Sequence, residues 1–87
     1  MSQRTIVVIK ASGVREEFSM PKMPSVSELQ GWVGGYFAET KVHFEGKSCY
    51  MFLNEDGIRL NLPRNEEASR LHPSGRILGD VAILTYR

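Results

Sequence analysis

Thr5, Ile6, Val7, Val8 and Ile9 form an unbroken β-branched and apolar run. A strand with one wet face alternates, whereas a strand covered on both faces reads as continuous apolar sequence, so this run predicts a central strand. Ala11, Ser12 and Gly13 make a turn. Val14, Glu16, Phe18 and Met20 then alternate with Arg15, Glu17 and Ser19. That period of two predicts a second strand with Phe18 and Met20 toward the core, and the first two strands read as a hairpin. Pro21 and Pro24 stiffen the connector that follows and keep a helix from starting earlier.

The period changes at Ser25. Ser25 and Glu28 have the spacing of a capping box, and Leu29, Trp32, Val33 and Tyr36 recur at helical spacing. A helix over residues 26–34 is expected, stopped by Gly34 and Gly35, one of which can take the left-handed conformation. Alternation returns over residues 36–44. Tyr36, Ala38, Thr40, Val42 and Phe44 face one way, and Phe37, Glu39, Lys41 and His43 the other. A turn at residues 45–47 leads into a returning strand at 48–53. Asn54, Glu55, Asp56 and Gly57 form a second turn, with Gly57 suited to a positive φ. Ile58, Leu60 and Leu62 then alternate with Arg59 and Asn61, which predicts a short strand closed by Pro63.

Asn65 is a good N-cap for a second short helix, with Glu66 and Glu67 in the first turn where the dipole favours acids. Ala68 and Leu71 are its expected buried positions, and residues 72–75 stop it. Ile77 and Leu78, then residues 81–84, complete the sheet, with Gly79 and Asp80 as a bend or bulge. The predicted order is ββαβββαββ. This is the α+β class with a mainly antiparallel sheet and two short helices. The opening ββα unit is similar to the start of a β-grasp domain.

The 87 residues suffice for a single domain with one core. A chain of this length buries roughly 60% of its unfolded surface, so a second copy or a partner adds usefully to its stability. A net charge of +1 lacks the excess of Lys and Arg that marks nucleic-acid binders. One cysteine, Cys49, rules out a disulfide framework and points to a reducing compartment, the cytoplasm of the host cell. The apolar run 6–9 is far too short for a signal segment or a membrane span.

Candidate chemistry is sparse. The acid pairs Glu16 with Glu17, Glu55 with Asp56, and Glu66 with Glu67 can supply an acid and a base. Each pair also has a local role: an exposed strand, a turn, a helix start. His43 falls on the polar side of a strand and His72 at a helix C-terminus. Neither has a Cys or His at ligand spacing, so no metal or other cofactor is expected. Cys49 within a strand reads as a buried thiol rather than a nucleophile. Phe37, Tyr50 and Phe52 lack the interleaved basic residues of a base-stacking platform, and Trp32 reads as a core anchor. The start of the second helix is the best candidate for an anion site: Arg64 and Asn65 stand there, with Arg59 on the preceding segment, opposed by Glu66 and Glu67.

The later part of the chain resembles a family of small domains from phages, large DNA viruses, plasmids and bacteria. The residues that carry the resemblance are Leu29 and Gln30, Val33-Gly34-Gly35-Tyr36, Asn54-Glu55-Asp56-Gly57, Leu62-Pro63-Arg64-Asn65 with Ala68, and Gly79-Asp80-Val81. They span residues 29–84. The chain departs from the pattern after Ile83, where the family often ends in a glycine and this sequence continues as Leu84-Thr85-Tyr86-Arg87. The resemblance brings no established activity and no catalytic residues. It implies a small accessory protein of a virus or mobile element.

Most of the pattern is explained by folding, and Asn54, Glu55, Arg64 and Asp80 are the members least needed for it. The expected function is therefore non-enzymatic binding of a host protein, by a homodimer joined through a sheet edge or an exposed apolar face. The second expectation is a small anionic ligand or nucleotide held by Arg59, Arg64 and Asn65, with Glu55 and Asp80 as neighbours.

Overall fold

The computed structural model describes residues 4–86. Five strands and two helices follow in the order β1 (Arg4–Ile9), β2 (Arg15–Met20), α1 (Val26–Val33), β3 (Phe37–Phe44), β4 (Lys47–Asn54), α2 (Glu66–Leu71) and β5 (Val81–Tyr86). The fold is α+β, with one sheet in the order β2-β1-β5-β4-β3. Every neighbouring pair is antiparallel.

β1 and β5 sit inside the sheet with their apolar runs buried on both faces, as the sequence predicts for β1. Ile6, Val8, Phe52, Ala82 and Leu84 point to one face, where Leu29 and Val33 of α1 cover them. Val7, Ile9, Val42, Met51, Val81 and Ile83 point to the other, beneath Ala68 of α2 and Ile77. A fully buried aliphatic side chain stabilises by about 1.5–3 kcal/mol, so the central strands hold most of the apolar stabilisation.

The sheet curls around the α2 face. The Arg15 guanidinium on one edge strand lies 5.3 Å from the Phe44 ring on the other. α2 lies on this face and makes a side-chain contact to each edge strand. Its Glu67 pairs with Arg15 of β2, and His72 at its C-terminal end bonds Thr40 of β3 at 3.2 Å. The His72 Nδ1 accepts from the Ser74 amide at 3.0 Å, so in the neutral ring the Nε2–H donates to Thr40.

α1 starts as its sequence requires. The Glu28 amide donates to Ser25 Oγ at 3.1 Å, and the Ser25 amide to Glu28 Oε1 at 3.0 Å. It ends one residue before the expected limit, at Val33, because Gly34 takes the left-handed conformation (φ 83°) and returns its amide to Gln30 O at 2.8 Å. Tyr36 therefore lies beyond the helix and is exposed, not part of its apolar face. Trp32 is half-buried and stacks on Phe18 of β2, with ring centroids 5.9 Å apart.

Two expected strands are absent among the described residues. Residues 58–62 form turns, because their amides find local acceptors: Leu60 N–H donates to Asp56 O, Asn61 N–H to Ile58 O and Leu62 N–H to Gly57 O. The left-handed Asn61 (φ 54°) bends the chain further. Ile77 and Leu78 lie in an irregular segment that makes one isolated bridge, Arg64 to Leu78. Gly57 has no positive φ. Glycine serves close approach there, since a Cβ would stand 3.2 Å from Leu78 Cβ and 3.3 Å from Leu78 O. β5 continues to Tyr86, two residues past the expected 81–84.

Candidate functional site

The turns after β4, the approach to α2 and the segment before β5 gather at one end of the sheet. Three polar side chains hold this irregular chain in place. Asn54, buried at the end of β4, donates from Nδ2 to Val33 O at 3.1 Å and accepts the Asp56 amide on Oδ1 at 2.8 Å. It thereby ties the end of α1 to the first turn. Asp80 accepts the Ala11 amide on Oδ1 at 2.8 Å, which fixes the β1–β2 turn to the entry of β5. Asn65 caps α2 as expected, accepting the Ala68 amide at 3.0 Å. Its Nδ2 also donates to Ile9 O at 2.8 Å and Gly79 O at 3.0 Å, and its backbone amide to Ile77 O.

These positions correct the expectation that Asn54 and Asp80 are little needed for folding. The expected anion-binding residues are each engaged within the chain. Asn65 is 1% exposed, and both polar atoms of its side chain are engaged inside the chain. Arg59 turns to Asp56 of its own loop (3.3 Å), and Arg64 to Glu66 (3.0 Å). Glu55 and Asp80 line different pockets.

The first pocket is an open depression of about 270 Å³. Ala38, Leu53, Ile58 and Leu78 contribute apolar surface to it, and Glu55 and Arg76 supply the charged groups. Large apolar side chains stand exposed at this end. Ile58 is 74% exposed, Leu60 47% and Tyr36 69%. The Tyr36 carbonyl accepts the Glu55 amide at 3.1 Å, which fixes Tyr36 beside the same turn. A second depression of about 290 Å³ lies on the α1 side, lined by Trp32, Gly34, Asn54, Leu62, Pro63 and Asp80 among others. Asn54 lines both. Arg59 and Arg64 line neither.

The remaining candidates are dispersed. Cys49 is buried, with Phe44 O and Lys47 O as its sulfur's acceptors. His43 is exposed on β3. Among the described residues no three His, Cys, Asp or Glu side chains come together as a metal site. Phe37 and Phe52 pack edge to face at 5.6 Å and Phe52 is buried, so these two belong to the core. Tyr50 is exposed beneath the Lys41 ammonium, 5.9 Å from its ring.

Ile58, Tyr36 and Arg76 are surface features that the sequence does not mark: the spacing of Ile58 fits a strand, and that of Tyr36 fits the apolar face of α1. The one signal for Arg76 is its place among the irregular residues after α2. Comparison with protein-family models, curated proteins and solved structures gives no match to the chain.

Proposed function

We propose that the chain is a non-enzymatic interaction module, an accessory protein of a virus or mobile element that covers a surface of a host protein in the host cytoplasm. The observation that carries this reading is the apolar end of the molecule. Ile58 stands exposed at a depression with apolar walls, and Tyr36 and Leu60 are exposed where the chain bonds to the same turn. The turn that presents Ile58 and Leu60 is held by backbone bonds and by Asn54, with no need to bury either side chain. Clustered apolar exposure of this kind marks contact surfaces on small proteins. Glu55 and Arg76 at the depression provide the polar contacts that give such a surface its specificity. The likeness of the opening ββα unit to a β-grasp domain, and the origin implied by the resemblance, belong to the same proposal.

Ile58→Asp tests the reading. The substitution leaves the melting temperature nearly unchanged, because the side chain is already in solvent. On an immobilised chain it abolishes the recovery of host proteins that the unaltered chain retains. Equal recovery by both chains, or none by either, overturns the proposal.

The second reading is a small anionic ligand at Arg59 and Arg64. In its favour, both guanidinium groups are open to solvent, although each already faces an acid of its own segment. A ligand that binds the folded chain must raise its melting temperature. Nucleotides and acidic metabolites that leave the melt unmoved remove this reading.

A further inference from the structure

We propose that two copies of the chain join edge to edge through β3, antiparallel about a two-fold axis at Thr40, to form one continuous sheet. The β3–β4 turn fixes which backbone groups of β3 face outward. Glu45 (φ 50°) and Gly46 (φ 78°) are both left-handed, and Phe44 pairs with Lys47 across them. That is a two-residue type I′ hairpin. Its flanking pair is hydrogen-bonded, and such pairs alternate along an antiparallel ladder. Phe44, Val42, Thr40 and Ala38 therefore direct their backbone groups to β4, and His43, Lys41, Glu39 and Phe37 direct theirs outward. Among the described residues, no other segment takes a backbone bond from that outer row.

An unpaired row of this length is a template for another strand. In an antiparallel ladder, residues directly opposite must both face the partner or both face away. The two-fold axis must therefore pass through a residue and not between two. At Glu39 it would oppose Glu39 to its own copy, and at Lys41 it would oppose two lysines. At Thr40, Glu39 of each copy meets Lys41 of the other, and Phe37 meets His43. About eight backbone bonds form across this junction.

The side chains agree with this register. Glu39, Lys41 and His43 are exposed together on the face of β3 away from α2. Glu39 makes no ion pair among the described residues, and Lys41 has only the Tyr50 ring. The other edge strand differs. On β2, Arg15 is engaged by Glu67 and Glu16 by Lys10.

The test is self-association measured by analytical ultracentrifugation, with circular dichroism to confirm that each variant is folded. The unaltered chain is expected to be a dimer. Glu39→Lys opposes lysines across both cross-strand pairs, and Lys41→Glu opposes glutamates. Each is expected to weaken the dimer about tenfold or more. Mixing the two folded variants restores pairing as a heterodimer, and the double variant Glu39→Lys with Lys41→Glu restores the homodimer. A monomeric unaltered chain, single variants that dimerise undiminished, or a mixture that stays monomeric overturns the proposal. None of these results depends on host-protein binding, so the two proposals fail separately.

Discussion

Asn65→Asp separates an ordinary helix cap from the buried junction seen here. At a solvent-exposed N-cap, Asn and Asp are nearly equivalent, because only the side-chain oxygen is used. In this chain the other side-chain atom matters as much. Nδ2 donates to Ile9 O and Gly79 O, at 2.8 and 3.0 Å, inside the protein. Aspartate keeps the bond from the Ala68 amide but places a second carboxylate oxygen against two carbonyl oxygens. Each buried carbonyl that loses its donor costs about 1–3 kcal/mol, and a carboxylate held in such a site costs more. The expected destabilisation is about 3–5 kcal/mol, a large part of the roughly 5–15 kcal/mol typical of a folded domain.

Asn65→Ala provides the comparison. It removes the cap, worth about 1 kcal/mol, and the same two donors, but adds no repulsion. Asp is therefore expected to be no more stable than Ala. At about 4–8 °C per kcal/mol for a domain of this size, thermal melting followed by circular dichroism resolves both. The Asp variant is expected to melt at least about 12 °C below the unaltered chain. An Asn65→Asp chain that melts within about 2 °C of the unaltered one, a difference below roughly 0.5 kcal/mol, would falsify the assignment of Asn65 to a dry junction.

Gly79→Ala combines a left-handed backbone (φ 86°) with a Cβ 2.8 Å from Leu62 Cδ1, and is expected to cost about 1–3 kcal/mol. Gly13→Ala, also left-handed but with nothing within 4 Å of the added Cβ, is expected to cost less in the same urea titration; equal costs would assign the whole effect to backbone conformation. Ser69 Oγ accepts the Ile77 amide at 2.8 Å and donates to Ile77 O at 3.3 Å, so Ser69→Ala is expected to lower stability by about 1–3 kcal/mol, and an unchanged urea midpoint refutes that role. Cys49 is 5% exposed, and its reaction with a soluble disulfide reagent is expected to be at least about a hundredfold slower in the folded chain than in denaturant; rapid reaction in the native state would place the thiol at the surface.

Local chemistry was legible in the sequence wherever cause and effect lay within a few residues. Ser25 and Glu28 form both bonds of their capping box, and Asn65 caps α2. The apolar run of β1 is buried on both faces because that pattern has few other uses. What escaped the sequence depends on distant partners. Asn65 reaches Ile9 across 56 positions, and Asp80 reaches Ala11 across 69. Composition carries no trace of either. The spacing of Ile58, Leu60 and Leu62 fits a strand, but the amides of Leu60, Asn61 and Leu62 are satisfied locally before any partner strand is met. Arg59 and Arg64, close in sequence, each pair with an acid of their own segment, Asp56 and Glu66.

Irregular backbone that crosses the end of a sheet must find a partner for each buried amide and carbonyl. Here Asn54, Asn65 and Asp80 supply several of those partners from side chains, and each ties segments that lie far apart in sequence. This gives the segment between β4 and β5 a defined shape without an apolar core of its own. Ile58, Leu60 and Tyr36 are consequently not required to hold it, and their exposure has no counterpart in the energetics of folding. A small domain gains nothing in stability by presenting such side chains to water. The polar anchors and the exposed apolar residues are thus two parts of one arrangement: the first fix the surface, and the second are what the proposed host contact uses.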